Sequence, residues 1–344
     1  MVITGRRFAR RVVRGIQWRF FPSPPPGKSF PTEILRRYQV SSADEVTDIT
    51  VRMWIDFALS SITRGEHVVA ALGGGRAFLG KRVLDVGCAY GGFLVAAKMA
   101  GAKAVCGIDI SSDLIGLARR QIADYRVTAL LLVDDVTSDG IADRLGTFDI
   151  VICNDVIEHV VEPAVCAANL ASLLRPGGRV FLEIPNGSAV EFIRRDGHYG
   201  LFGITLLDRI AAEEWWRHHY GPNDTYGVEH YAPLSYYLEI FSKAGLALRL
   251  LNAPNGDAVA GVSDLEAQFD ALEVELAEAA AKFPNAPSEL VDEMRRRGAD
   301  EIAEFRRLLA RYRRSVVRAE QEVLAATLFS TYKLTFWELA GQRG

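Results

Sequence analysis

Between residues 81 and 186 the chain alternates two hydrophobic periods. Short apolar, β-branched runs (KRVLDVG, AVCGIDI, ALLLVDD, FDIVICN and GRVFLEIPN) are separated by stretches of helical spacing. Strand, helix, strand at this rhythm predicts an α/β fold with a parallel sheet covered on both faces. The continuous run ALLLV suits a strand buried from both sides. Right-handed crossovers then bring the C-terminal ends of the strands to one edge, where ligands bind. LALRLL (Leu246–Leu251) predicts a further strand. STYKLTFWELA alternates at period two, Tyr332, Leu334 and Phe336 against Lys333, Thr335 and Trp337, and predicts a last strand returning to the sheet.

Helical patterns flank this centre. Residues 42–79 read as helical, with Ser42 and Glu45 spaced as a capping box. Residues 263–328 are helical and charged, with breaks expected at FPNAP and near Gly298. In RRFARRVVRGIQWRFF, Phe8, Val12, Val13, Ile16 and Phe20 recur at helical spacing among six arginines. Such a helix suits an anionic membrane surface, packing on the body of the protein, or a presequence. FPSPPPG stops it and forms a stiff linker. The expected organisation is an arm and linker over 1–40, a central domain over 41–262 with a lid at 187–238, a helical insertion at 263–328, and a returning strand at 329–344.

Composition narrows the class. The 344 residues are 49% hydrophobic and 24% charged, ordinary for a globular protein with its own core. Four scattered cysteines without a CxxC pair argue against a disulfide framework or zinc ribbon, and for buried thiols in a cytoplasmic, reducing setting. The net charge of −3 conceals +8 in residues 1–40 and −11 in the rest. That balance speaks against a nucleic-acid partner and confines membrane contact, peripheral and at the inner face, to residues 1–21.

The chemistry concentrates at the predicted strand ends. LDVGCAYGG departs from a dinucleotide loop, because Ala89 stands where the second glycine of Gly-x-Gly-x-x-Gly belongs. Asp85, two residues before Gly87, would repel a pyrophosphate but favours a positively charged sulfonium cofactor. Asp109 ends the second strand, LLVDDVTS the third, and FDIVICNDVIEHVVEP and LLRPGGRVFLEIPN follow. In this order and spacing the motifs resemble those of the class I S-adenosylmethionine-dependent methyltransferases, in particular small-molecule and sugar O-methyltransferases near the ubiquinone pathway. VEHYAPLSYYLEIFSKAGLAL is similar to that group's late motif.

The resemblance implies a Rossmann-like methyltransferase fold with a mostly parallel seven-stranded sheet, and S-adenosyl-L-methionine as cofactor. It places Asp85, Gly87, Cys88, Ala89, Tyr90 and Gly91 at the cofactor loop. Asp109 and Ile110 would meet the ribose, Asp135 (with Asp134 as the alternative) and Val136 the adenine, and Asn154 the methionine end. A hydroxyl acceptor needs a base, for which histidine is the first choice near neutral pH. His159, beside Glu158, and His198 lead, with His230 behind. Arg194 with Arg195, Tyr199, His230 and Tyr231 are the expected acceptor-binding residues, and no metal set stands out. The main expectation is O-methylation of a glycan, sugar or lipid-linked saccharide. The alternatives are a small aromatic or quinone-like acceptor, a nicotinamide oxidoreductase, and a catalytically silent interaction protein that self-associates through the helical insertion.

Overall fold

The computed structural model describes residues 28–221, 225–253 and 258–344; the arm of residues 1–21 lies outside them. The chain opens with helix α1 (Ser29–Arg37), a 3-10 turn (Ala43–Glu45), α2 (Ile49–Leu59), α3 (Ser61–Ala71) and α4 (Gly75–Phe78). The sheet region follows as β1 (Arg82–Val86), α5 (Gly92–Met99), β2 (Ala104–Asp109), α6 (Ser112–Asp124), β3 (Leu130–Val133), α7 (Ile141–Leu145) and β4 (Phe148–Asn154). After a second 3-10 turn (Ile157–His159) come α8 (Pro163–Leu173), β5 (Leu174–Pro185), α9 (Val190–Arg194), α10 (Arg209–Tyr220), α11 (Leu234–Lys243) and β6 (Leu246–Leu250). Four helices, α12 (Ala258–Ala277), α13 (Ala279–Lys282), α14 (Ser288–Arg314) and α15 (Arg318–Tyr332), precede β7 (Phe336–Arg343).

The strands form one sheet in the order β3-β2-β1-β4-β5-β7-β6, with β7 alone antiparallel to its neighbours. This is the α/β, Rossmann-like architecture with a late helical insertion that the sequence implies. Strand alternation sends Leu84, Val86, Val151 and Leu182 into one core, and Val83, Ile150, Ile152 and Phe181 into the other. All four cysteines are buried, as expected of structural thiols. Among the described residues no helix is long and apolar enough to cross a membrane.

Several local expectations give way to tertiary packing. Ser42 and Glu45 wrap the short 3-10 turn, whereas α2 starts at Ile49 and is capped by Asp48, which accepts from the N–H groups of Thr50 and Val51. Pro176, Gly177 and Gly178 make a turn within the span of β5, where the register to β4 shifts. The helical insertion begins at Ala258 rather than 263, and its last helix runs to Tyr332. Tyr332 is therefore no strand residue: its ring meets the edges of Phe269 and Phe305, which stack 3.9 Å apart. Gly298 does not break α14. A Cβ there would lie 2.4 Å from Leu276 of α12, so the glycine lets the two helices close up.

The contact that matters most for the site joins α3 to α5. A Cβ on Gly92 would sit 2.4 Å from the carbonyl carbon of Ser61, and one on Gly65 would sit 2.8 Å from Phe93 Cα. These glycines allow backbone-to-backbone approach and seat α3 over the loop that follows β1. Gly92→Ala should destabilise the protein by about 1–3 kcal/mol through overpacking. Gly116→Ala, in the open on α6, should stabilise it by about 0.5–1 kcal/mol through helix propensity. Chemical denaturation of the two variants checks both signs.

Candidate active site

A cavity of about 730 Å³ opens at the C-terminal ends of β1, β2 and β4. It lies where the strand order reverses between β1 and β4, the usual crevice of a doubly wound sheet. The loop after β1 forms its floor. Gly87 has φ +67°, and a Cβ there would lie 2.3 Å from Val156, so glycine is required. Gly91, at φ +75°, caps α5 and stands just off the wall. Cys88 and Tyr90 border the cavity, Tyr90 packing against Phe30 and Phe57. Ala89 borders it at φ +39°. The cost of its departure from glycine is thus backbone strain.

Asp109 ties this loop to β2: its carboxylate accepts from the N–H of Ala89 and of Ser111, each at 2.9 Å. The capping of α6 falls to Ser111, whose hydroxyl accepts from Leu114 N–H. Ile110 and Val136 border the same half of the cavity. So do both adjacent acids, which divide their work: Asp134 pairs with Arg144 at 2.8 Å, and Asp135 caps its own turn through Thr137. Asp85 lies beneath the loop, off the cavity wall, 1% exposed, with neither oxygen hydrogen-bonded. Burial, reinforced by the charge of Asp109 and opposed by Arg64, raises its pKa well above the carboxylate range.

Arg64, which the motifs do not reveal, is the only Arg or Lys side chain on the cavity wall among the described residues. Its guanidinium stacks 3.6 Å from the Phe57 ring, stands 3.5 Å from Asp155, and leaves Nε without a partner. Asn154 donates to Glu183 at 2.8 Å and leaves its own oxygen unpartnered. A half-buried cation and an open amide oxygen suit the α-carboxylate and α-amino group of a methionine moiety, while Asp109 and Ile110 stand ready for a ribose. The residues present therefore fit S-adenosylmethionine. Asp155 is held at φ +52° and half-buried; loss of water around its carboxyl, with Glu183 and Glu158 nearby, raises its pKa well above the usual range.

Across the cavity, two histidines meet over one carboxylate. Glu158, on the 3-10 turn after β4, is fully buried, and neither of its oxygens has a hydrogen-bond partner. His159 Nε2 stands 3.6 Å and His198 Nε2 3.4 Å from Glu158 Oε1, and the imidazole rings meet edge to face. The two rings differ in their commitments. His159 Nδ1 donates to the Gly227 carbonyl at 2.6 Å, which leaves Nε2 as its basic nitrogen. His198 is engaged at both nitrogens, with Tyr231 Oη 3.0 Å from Nδ1. Burial works against a proton on His198, but the carboxylates of Glu158, Asp196 and Asp155 outweigh it and raise its pKa. Glu158, His159 and His198 offer ligand atoms within 4.8 Å of one another, the composition of a cation site. Sequence spacing alone shows no such set, because His198 arrives from beyond β5.

The expected acceptor residues do not reach the cavity. Arg194 is bound to Glu275 at 3.0 Å and to the Gln268 carbonyl of the helical insertion. Tyr199 packs among Trp216, Tyr220 and Tyr226, its hydroxyl accepting from Gly227 N–H. His230 Nε2 lies 3.3 Å from the Val161 carbonyl. Tyr231 reaches the site only through His198. Among the described residues of 187–238, Phe202, Trp215, Trp216 and Tyr226 build a core with the insertion, Tyr199 and Tyr231 pack against it, and only Gly197, His198 and Gly227 border the cavity. The apolar side of the cavity wall comes from α2, through Met53, Trp54 and Phe57, and from Phe336 of β7. Their helical spacing was the available signal, and it reads equally as ordinary core packing.

Two outcomes follow from this geometry. Ala89→Gly should relieve the left-handed strain and raise stability by up to about 1 kcal/mol, read as a thermal shift. In chelator-treated protein, NMR should show His198 titrating above 6.5, the ordinary value. Glu158→Gln removes the carboxylate that favours the charged ring, so the midpoint should move to lower pH.

A family model described as a methyltransferase domain matches residues 64–251. The ubiquinone biosynthesis O-methyltransferase of Aromatoleum aromaticum is 40% identical over 114 residues, covering 31% of this chain and 45% of that protein. Its namesake from Vibrio parahaemolyticus is 35% identical over 135 residues, covering 39% of this chain and 54% of that one. The chain thus spans about half the length of the curated relatives it matches. Among solved structures, the magnesium protoporphyrin IX methyltransferase of Synechocystis PCC 6803 is 21% identical, covers 64% of this chain and 87% of its own, and has a TM-score of 0.42. With the family model spanning more than half of its length, including the cofactor loop and the strand ends around it, this chain belongs to the class I S-adenosylmethionine-dependent methyltransferases.

Proposed function

We propose that the protein is an O-methyltransferase acting on a hydroxyl of a small aromatic or quinone-like acceptor. The observation that carries this reading is the union, in one cavity, of the glycine loop and a histidine whose Nδ1 is fixed as a donor, leaving Nε2 as its basic nitrogen beside Glu158. The aromatic wall of Trp54, Phe57 and Phe336 suits a flat ring. The ubiquinone biosynthesis O-methyltransferases among the curated relatives favour the same acceptor class. The saccharide expectation loses its main support, because the aromatics that suggested it face a core.

S-adenosylmethionine supplies a methyl group on a sulfonium with a good leaving thioether. The chain's task is alignment and proton removal. Asp109, Asn154 and Arg64 hold the cofactor end, and the α2 aromatics hold the acceptor ring. With that methyl donor bound, His159 Nε2 would take the proton of the acceptor hydroxyl as the sulfur–methyl bond gives way to the oxygen–methyl bond. Glu158 lies beside that nitrogen and stabilises the imidazolium. His198, whose pKa the same carboxylate raises, positions the pair.

Calorimetry with S-adenosylmethionine, S-adenosylhomocysteine and NAD tests the cofactor; binding of NAD alone would overturn the reading. Asp109→Ala should weaken S-adenosylhomocysteine binding. His159→Ala should lower turnover by about 10²–10⁴-fold with cofactor binding retained, and full activity would remove the base assignment. A one-methyl mass shift on phenolic or quinol acceptors, and none on saccharides, is the expected outcome of an acceptor screen.

A further inference from the structure

Helix α2 touches both halves of the cavity. On the cofactor side, Phe57 stacks on Arg64 and meets Tyr90 of the glycine loop. On the acceptor side, the indole N–H of Trp54 donates to the His198 carbonyl at 2.9 Å, across 144 positions of sequence. The loop that carries His198 is closed by its own residues and held by Tyr220, whose hydroxyl donates to the Tyr199 carbonyl at 2.6 Å. Asp196, buried at its base, accepts from the N–H groups of His198, Tyr199 and Leu201 and folds residues 196–201 into a closed turn. Tyr231 holds the ring from behind. Trp54 ties this turn to α2, and one turn of helix separates it from Phe57.

We infer that Trp54 is a positioning residue: it couples occupation of the cofactor side, sensed by Phe57, Arg64 and Tyr90, to the placement of the His198 turn. A molecule bound against Arg64 and the glycine loop restrains Phe57 and therefore α2. A restrained α2 holds its indole donor in place and fixes the His198 carbonyl. The imidazole of His198 then stays over Glu158, where His159, Asp155, Asp196 and Tyr231 also face it. The acceptor side is thereby completed only after the cofactor side is filled, so the protein should bind its two substrates in order. The inference rests on the cofactor reading above but needs no particular acceptor.

Hydrogen exchange read by mass spectrometry on the full chain tests it, with S-adenosylhomocysteine as the probe at saturating concentration. In the unmodified protein the probe should slow exchange in the peptide spanning 196–201 by at least about threefold, a coupling of roughly 0.65 kcal/mol. Trp54→Phe keeps an aromatic ring and removes only the donor. In that variant the probe should still protect the glycine-loop peptide, and the protection of 196–201 should disappear. Equal protection of 196–201 in both proteins would overturn the role of Trp54. Absence of protection there in the unmodified protein would overturn the coupling itself, whether or not the variant folds. Failure of the probe to bind at all would instead count against the cofactor reading.

Discussion

Carboxylates stripped of water without gaining hydrogen bonds set the terms at the ligand edge of this sheet. Asp85 and Glu158 are buried there with both oxygens unpartnered, and Asp155, half-buried, with one. A buried charge without compensation costs several kcal/mol, and burial accordingly pushes Asp85 and Asp155 toward their neutral forms. Two kinds of side chain answer them: the Arg64 guanidinium on one side of the cavity, and the imidazoles around Glu158 on the other. Arg64 can arrive only because α3 lies backbone to backbone on α5 at Gly65 and Gly92. With α3 seated, α2 ends one residue before it and has to cross the mouth of the cavity. The aromatic wall follows from the electrostatic need.

The same arrangement separates the chemistry of the two halves. Near β1 and β2 the wall is rich in backbone amides, acids and the one guanidinium, which suits a zwitterionic ligand with a ribose. Near the end of β4 it combines imidazole with aromatic carbon, which suits removal of a proton from a hydroxyl on a ring. Two residues in the site that are not glycine, Ala89 and Asp155, have left-handed backbone. Strain of this kind persists where the surroundings over-determine it. Ala89 is held by the Asp109 carboxylate, and Asp155 by its N–H bond to Glu183 and by Arg64.

The helical insertion shows how packing redirects local signals. Tyr332 and Phe336 share a period-two pattern, yet Tyr332 is drawn into a helix because its ring completes the Phe269–Phe305 stack. The dense aromatics of 187–238 are similarly claimed by the insertion, which needs a partner core for α12, α14 and α15. Arg194 serves the same interface. Residues that look fit to grip a ligand are used to hold one helical layer against another.

The sequence by itself determined the sheet, its parallel strands, the glycine loop with Asp109, and the placement of His159 at the ligand edge. These depend on short-range periodicity and on backbone positions that only glycine or a capping acid fills. Tertiary structure alone decided that Arg64 enters the cavity from α3, that α2 lines the cavity with aromatics, and that Glu158 and His198 converge with His159. These contacts join residues far apart in the chain. Whether an aromatic or charged side chain faces a ligand or a neighbouring helix depends on what packs against it, and no local pattern encodes that.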